Sequence, residues 1–160
     1  MKVLELKETN SVKAILIGSE VYRKSQFGGK HPLSIPRVSA VLDLVRALGI
    51  CDKEEYKTGP CAKPELLKSF HTADYIAVLK KTEVSQKISE KDAKTYNIGS
   101  LSNPIFPEMF KRPATSVGSS LLAADLVANG GRAYSLGGGL PRRMTGYANG
   151  FCFLNDLAFA

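Results

Sequence analysis

Residues 12–18, VKAILIG, form a predominantly apolar, partly β-branched run that closes on a glycine. A run without regular polar alternation is typical of a strand buried on both faces, as in parallel sheets. Parallel strands need long crossover connections, usually helices. This run therefore predicts a sheet layered with helices and an α/β fold.

Helical patterns follow. Residues 31–50, HPLSIPRVSAVLDLVRALGI, predict a helix with Ser34 as its cap, Pro36 in its first turn and Gly49 at its end. Its apolar stripe is predicted to comprise Val38, Val41, Leu42, Val45 and Leu48. Residues 63–83, KPELLKSFHTADYIAVLKKTE, indicate two short helices that restart at Thr72.

The second half repeats this alternation. Residues 109–128 predict a long helix ended by Asn129-Gly130-Gly131, and RAYSL, residues 132–136, predicts a second strand. Residues 86–96 are polar and predicted to be exposed, and residues 97–107 indicate a loop. Two strands make an incomplete sheet, so we expect the first part of a larger α/β domain.

Composition narrows the class of protein. The chain has 160 residues, 44% hydrophobic and 23% charged, which is typical of one globular domain. No apolar run approaches the ~20 residues that span a membrane, and the N-terminus is typical of a strand, so we expect a cytoplasmic protein. The net charge of +7 permits an anionic partner, but the basic residues are dispersed and nucleic-acid binding is not expected.

The cysteines and histidines of the chain show no pattern typical of a disulfide or a zinc site. Cys51, Cys61 and Cys152 show no C-x-x-C pairing and are expected to be free thiols, with Cys152 packed between two phenylalanines. We expect His31 to be structural, before Pro32, and the only other histidine, His71, to order the helix junction around it. Two histidines make a zinc site built wholly from this chain improbable.

Residues 135–156, SLGGGLPRRMTGYANGFCFLND, combine a strand end with a glycine-rich loop, an arrangement typical of active sites. Arg142 and Arg143 are its most conspicuous side chains, and neither is an acid, base, nucleophile or metal ligand at neutral pH. Two interpretations stay open: capture of an anion with the help of backbone N–H groups, or a solvated loop without a ligand.

Four segments carry a family resemblance: GKHPLSIPRVSAVLDLV, PELLKSFHTADYIAVL, YNIGSLSNPIF and GGLPRRMTGYANGFCFLND. Their order and spacing resemble those of histone deacetylases, most closely the bacterial deacetylase-like and acetoin-utilisation branch, over residues 15–160. The resemblance implies a three-layer arginase/deacetylase-like sandwich with a mostly parallel sheet, incomplete in this chain. Residues 1–160 would form the N-terminal portion of a single histone deacetylase-like domain.

The resemblance also implies a reaction. Such enzymes use zinc to hydrolyse acetyl-lysine or small acetylated amines, with the metal polarising the acetyl carbonyl and activating a water. A histidine pair transfers protons, and a tyrosine from a later loop stabilises the oxyanion.

The sequence departs from this pattern at the proton-transfer positions. Pro141 and Arg142 occupy the places of the histidine pair, and Arg143 stands where a small residue is usual. The family's zinc ligands and catalytic tyrosine come from segments that follow the matched region. We therefore expect no catalytic residue, no metal site and no cofactor in this chain.

Parts of the substrate site are retained by the same resemblance. Phe151 matches an aromatic wall of the acyl-lysine channel, with a core aromatic as the alternative, and Gly150 beside it permits close approach. Ser102 stands near the place of an acidic residue that grips substrate. Arg37 matches an inner-cavity arginine that could meet acetate, with a buried ion pair as the alternative, and Tyr22 lies in the loop near it.

Three functional hypotheses follow. The chain is a truncated, catalytically inactive histone deacetylase-family protein, or the N-terminal piece of a split or longer zinc deacetylase completed by downstream sequence. The third is a non-catalytic binding module with a basic surface. The expected partners are a second copy of the chain, by self-association, or a complementing C-terminal half, because an incomplete sheet exposes unpaired edges.

Overall fold

A three-stranded parallel sheet organises the chain. The computed structural model describes residues 13–23, 36–139 and 144–160. The strands are β1 (Ala14–Gly18), β2 (Tyr56–Thr58) and β3 (Arg132–Ser135), in the order β2-β1-β3. Leu16 is aligned with Tyr56 of β2 and with Tyr134 of β3. The apolar run thus forms the central strand, as its composition predicts.

Helices connect and cover these strands, which confirms the α/β class. They are α1 (Arg37–Ala47), α2 (Pro64–Leu67), α3 (Ala73–Ser85), α4 (Glu90–Tyr96) and α5 (Lys111–Ala128), with 3-10 turns at Glu20–Tyr22, Lys53–Glu55 and Asp156–Ala158. Among the described residues no helix is long and apolar enough to cross a membrane.

The core forms where α5 meets α3 and the loop before α5. Its largest fully buried side chains include Tyr75, Phe106, Met109 and Val117. Residues 114–120 of α5 are buried on every side of the helix. Most of these residues are small, and their hydroxyls find partners, as when Ser119 Oγ donates to Thr115 O at 2.7 Å. Small, satisfied side chains allow neighbouring backbone to pack closely against this half of α5.

Two elements are absent from the sequence-based prediction. β2 reads YKT, with Lys57 and Thr58 exposed, so no apolar pattern marks it, and its parallel pairing with β1 defines it as a strand. α4 lies inside the segment predicted only as polar and exposed. Ser89 caps it by accepting the Asp92 N–H at 3.1 Å, and Asn97 ends it in the left-handed conformation.

The stripe predicted for α1 is wrong in part. Leu42 is buried, but Val41 is 43% and Leu48 62% exposed. Among the described residues α1 packs chiefly on the 3-10 turn at Glu20–Tyr22, and Leu42 is the one apolar residue of the helix that is fully buried. Exposed ion pairs add to this contact, with Arg23 Nη1 2.7 Å from Asp43 Oδ2. Ser34, the predicted cap, lies outside the described residues.

Gly118 shows how closely α5 is packed. Ala62 N–H donates to Ala114 O at 2.9 Å, and a Cβ on Gly118 would overlap the Pro60 carbonyl. The obstacle is backbone, which cannot rotate away as a side chain can. Glycine in mid-helix is therefore required here by packing.

Gly118→Ala is predicted to destabilise the protein by about 1–3 kcal/mol, because the added methyl forces α5 away from residue 60. The sign of this change is informative. In an exposed helix interior, replacing glycine with alanine stabilises the helix by about 1 kcal/mol. Urea unfolding measures the change, with Ala128→Ser in the exposed last turn as the control. A stabilised Gly118→Ala protein would contradict this packing.

Candidate functional site

A cavity of about 380 Å³ opens where the ends of several elements meet. Its size is within the range of about 300–1,000 Å³ typical of ligand pockets. The residues that line it belong to the first 3-10 turn, to the start of α1, to the loop before α5 and the start of α5, to β3 and the loop after it, and to residues 151–154. They are Tyr22, Pro36, Arg37, Val38, Val41, Phe106, Arg112, Pro113, Ser116, Tyr134, Leu136, Gly137, Gly138, Phe151, Cys152, Phe153 and Leu154.

The structure brings together three of the five residues predicted for a substrate site. Tyr22, Arg37 and Phe151 all line this cavity. Gly150 precedes Phe151 without lining it, and Ser102 is exposed in the loop before α5. Arg37 is exposed at the start of α1, so the alternative of a buried ion pair is wrong.

Tyr22 forms one wall of the cavity together with Arg112. The Tyr22 ring is 6% exposed and lies against Gly137, and burial raises the pKa of its hydroxyl. The Arg112 guanidinium carbon is 5.4 Å from the ring centroid, a cation–π distance. Burial lowers the pKa of Arg112, but an arginine remains protonated at neutral pH. The sequence-based prediction missed Arg112.

The glycines of the loop are required by packing. A Cβ on Gly137 would overlap the Tyr22 ring, and one on Gly138 would lie 2.9 Å from both Asp156 Oδ2 and Ser120 Oγ. Gly139 has φ +84°, a conformation that favours glycine. The run GGG therefore allows the backbone to approach a tyrosine ring and a carboxylate at close range.

Asp156 is the carboxylate that this loop approaches. Its side chain is 1% exposed, and its Oδ2 accepts from Gly139 N–H at 2.7 Å and from Ser120 Oγ at 2.9 Å. Ser116 Oγ lies 3.3 Å from the same oxygen and 2.7 Å from Gly137 O. Helix α5 and the glycine-rich loop are thus joined through one buried acid.

Asp156 was not predicted as important. The available signal was weak: Ser116 and Ser120 are four residues apart and share one face of α5, and an acid follows FLN at the end of the loop. Nothing in the sequence says that these groups meet.

Asp156→Ala is predicted to destabilise the protein by at least about 3 kcal/mol, because several buried donors lose a charged acceptor. Asp125→Ala, which removes an exposed acid from the same helix α5, is the matched control and should change stability by less than about 0.5 kcal/mol. Equal losses in the two variants by urea unfolding would contradict the role of Asp156.

His71 forms hydrogen bonds with the C-terminal part of the glycine-rich loop. It is 2% exposed, and its Nδ1 lies 3.1 Å from Thr145 O, while its Nε2 accepts the Asn155 N–H at 3.1 Å. Accepting at Nε2 requires the neutral ring, with the proton on Nδ1. The predicted structural role at the helix junction is confirmed, and the contacts extend it to residues 145 and 155.

Aromatic rings surround His71. Its ring centroid is 5.0 Å from that of Phe70, 5.9 Å from that of Tyr75 and 6.0 Å from that of Phe159. Burial in this setting lowers the pKa of His71 below its ordinary value of 6.5.

The lowered pKa predicts pH-dependent stability. Below about 6.5 the unfolded chain takes up a proton that the folded protein refuses, so the free energy of unfolding decreases with falling pH by up to about 1.4 kcal/mol per unit. Urea unfolding at intervals from about pH 8 to 5.5 measures the slope. His71→Gln should lose this slope and His31→Gln should keep it, and the reverse pattern would contradict the assignment.

Phe151 is held in an uncommon backbone conformation beside the cavity. Its φ is +70°, and Gly150 before it has φ +53°. The Phe151 N–H donates to Asn103 Oδ1 at 3.2 Å. Asn103 is fully buried, and its Nδ2 has no hydrogen-bond partner within the part of the chain that the structure describes. A non-glycine residue in this region costs free energy and is found where the surroundings impose it. Cys152, 6% exposed, packs as predicted.

The described residues do not fit a zinc site. In residues 13–23, 36–139 and 144–160 no group of three or more His, Cys, Asp or Glu is placed to hold a metal ion. His71 uses both ring nitrogens, and Oδ2 of Asp156 already accepts from a backbone amide and serine hydroxyls. His31, Pro141, Arg142 and Arg143 lie outside the described residues, so their predicted roles stay predictions.

The chain has a parallel sheet with helical crossovers and a cavity beside a glycine-rich loop. These features are those of the arginase/deacetylase fold, of which the chain forms a part. The chain belongs to the histone deacetylase family, since residues 31–160 match the histone deacetylase domain. Two solved structures superpose with a TM-score of 0.87: an HDAC homolog complexed with SAHA, 36% identical, and an HDAC homolog from Aquifex aeolicus, 35% identical. Both alignments cover 92% of this chain and 40% of the other.

Curated relatives place the chain in the acetoin-utilisation branch. Acetoin utilization protein AcuC of Bacillus subtilis (strain 168) is 34% identical over 149 residues, and that of Staphylococcus aureus (strain MSSA476) is 30% identical over 153 residues. The alignments cover 92% and 94% of this chain. The chain spans 38% and 39% of the length of these relatives. The predicted family and branch are confirmed.

Proposed function

We propose that this chain keeps the scaffold of a deacetylase site and does not itself hydrolyse acetylated amines. The observation that carries the proposal is Pro141-Arg142, which occupies the positions of the family's proton-transferring pair between Gly139 and Gly150. Proline has no ionisable group, and arginine is protonated at any working pH. General base catalysis needs a group that can accept a proton near neutral pH.

Charge and donor chemistry support the same proposal. A permanent guanidinium charge close to Zn²⁺ would repel the metal. Asp156 and His71, which contact the two ends of the loop, are buried and engaged in structural hydrogen bonds. Neither is available to replace the missing pair.

Turnover of an acetyl-lysine peptide by the purified chain with added zinc is predicted to equal the background rate of zinc alone. Metal analysis of the same preparation should find zinc well below one equivalent. Turnover that rises linearly with protein concentration, together with one bound zinc per chain, would overturn the proposal.

A second candidate function is that of one part of a larger zinc deacetylase, which acts on acetyl-lysine or small acetylated amines once completed. Its support is an apolar surface around β3. Tyr134 is 66%, Val127 55% and Leu157 51% exposed, and within the described residues no strand pairs with the second edge of β3. Apolar side chains beside an open sheet edge favour association with further protein.

Complementation separates the two candidates. The chain is co-expressed with the part of the Bacillus subtilis relative that lies beyond the matched region. A one-to-one complex by light scattering supports completion, whereas a homodimer or no complex contradicts it. If a complex forms, the loss of catalysis predicts turnover for Pro141→His/Arg142→His and none for the native pair, whereas an active completed deacetylase predicts turnover for the native pair too. Equal turnover by both would contradict the loss of catalysis and leave completion supported.

A further inference from the structure

We propose that His71 closes the base of the glycine-rich loop and that a second proton on its imidazole ring opens this base, which makes the loop a pH-sensitive element. The proposal rests on residues on either side of positions 140–143 and does not depend on whether the chain has lost catalysis.

A series of hydrogen bonds joins the two ends of the loop. At the first end, the Gly139 N–H donates to Asp156 Oδ2 at 2.7 Å. At the second end, His71 Nδ1 lies 3.1 Å from the Thr145 carbonyl oxygen. The Asn155 N–H, next to Asp156 in the chain, donates to His71 Nε2 at 3.1 Å. His71 thus links Thr145 to the segment that holds Gly139.

Only the neutral ring can form both bonds of this link. Nε2 accepts a hydrogen bond, so the single proton of the neutral ring is on Nδ1, where it donates to the Thr145 oxygen. A second proton goes to Nε2 and turns this acceptor into a donor that faces the Asn155 N–H. The bond from Nδ1–H to Thr145 remains possible and becomes charge-assisted. Protonation therefore breaks the link at Asn155.

The position of the ring disfavours a charge. His71 is 2% exposed among the aromatic rings around it, and burial lowers its pKa although the bond to the Thr145 carbonyl acts in the opposite direction. Thr145 itself is exposed. A charged ring that stays bonded to Thr145 therefore moves towards water and away from Asn155.

The titratable groups on the elements around the ring are neutral, exposed or engaged elsewhere. Burial raises the pKa of Tyr75 on α3, which stays neutral, and Cys152 is a buried thiol. Asp156 Oδ2 accepts from donors on α5 and in the loop. The charged residues nearest to the histidine along the chain, Lys68 and Asp74, are exposed. Among these groups the imidazole is the one that changes charge near neutral pH.

The segment between Thr145 and Asn155 has further attachments that do not titrate near neutral pH. They are the bonds from Tyr75 Oη to Phe153 O at 2.7 Å, from Asn97 Nδ2 to Ala148 O at 2.8 Å and from the Phe151 N–H to Asn103 Oδ1 at 3.2 Å. Phenol and amide side chains do not change charge in the range where histidine does. The opening is therefore local and does not require unfolding of the chain.

NMR of the native chain from about pH 8 to about pH 5 tests the switch. At the upper end, the ring nitrogen shifts should show a protonated Nδ1 and an unprotonated Nε2. As the pH falls, the Asn155 amide resonance should move with the same midpoint as the His71 ring, below about 6.5. The amide resonance of Val117, buried in α5, should keep its position.

Amide hydrogen exchange in low urea separates this opening from unfolding, with each rate divided by that of the unfolded peptide at the same pH. Between about pH 8 and about pH 5 the protection of the Asn155 amide should fall at least about tenfold. At about pH 5 its exchange should be independent of urea, because a local opening exposes little surface. Exchange of the Val117 amide, which needs global unfolding, should rise with urea.

A variant removes the titration. His71→Gln keeps one donor and one acceptor without a proton to gain, so the protection of the Asn155 amide should no longer fall between about pH 8 and about pH 5. His31→Gln is the matched control, because it removes the other histidine of the chain and should leave the pH dependence unchanged.

Four results would overturn the proposal. They are a protonated Nε2 at about pH 8, a ring that stays neutral in the folded protein down to about pH 5, an Asn155 resonance that does not follow the ring, and exchange of the Asn155 amide with the urea dependence of Val117. All four are measured on the native chain, so the test stands even where a variant fails to fold.

Discussion

One buried carboxylate holds the glycine-rich loop in place. Asp156 Oδ2 accepts hydrogen bonds from the Gly139 N–H at 2.7 Å and from the Ser120 hydroxyl at 2.9 Å, and the Ser116 hydroxyl lies 3.3 Å away. A charge in such a place is stable only if donors surround it, since an unpaired buried carboxylate is costly. Small residues on α5 and glycines in the loop let those donors reach it. The shape of the cavity depends on this arrangement.

The loop therefore has a structural reason for its composition that is independent of catalysis. Gly137 leaves room for the Tyr22 ring, Gly138 for the Asp156 carboxylate, and Gly139 turns the chain and donates its N–H. His71 fastens the far end of the loop at Thr145 and Asn155. These contacts can maintain the backbone conformation at both ends of the glycine-rich loop. They do so without help from Pro141 and Arg142, which occupy the positions of the family's proton-transferring pair.

The sequence predicts the elements that carry a local signal of their own, such as an apolar run, a cap or a breaker. β1 and β3, the restart at Thr72 and the long helix α5 follow from apolar runs, caps and breakers. β2 is not predictable this way, because its strand character comes from pairing with β1 and its side chains are polar. The exposure of Val41 and Leu48 was missed for a related reason, since periodicity shows which side of a helix is apolar and not what covers it.

The candidate site was predictable only where a family pattern exists. Tyr22, Arg37 and Phe151 were singled out by resemblance, and the structure brings them to one cavity. Asp156 and Arg112 have no local signature, because their roles come from contacts between segments 17 to 90 residues apart. Charge and burial at such positions are set by tertiary packing, which a pattern of neighbours in sequence does not contain.

Amide hydrogen exchange at Gly139 tests most directly whether a buried carboxylate, and not a ligand or a metal, holds this loop. In the native chain, with EDTA present, we predict that the Gly139 amide is protected nearly as strongly as that of Val117 in the middle of α5. In Asp156→Asn, which retains the shape of the side chain and loses its charge, the protection should decrease more at Gly139 than at Val117. A Gly139 amide that exchanges at the rate of an exposed loop in the native protein would contradict the account.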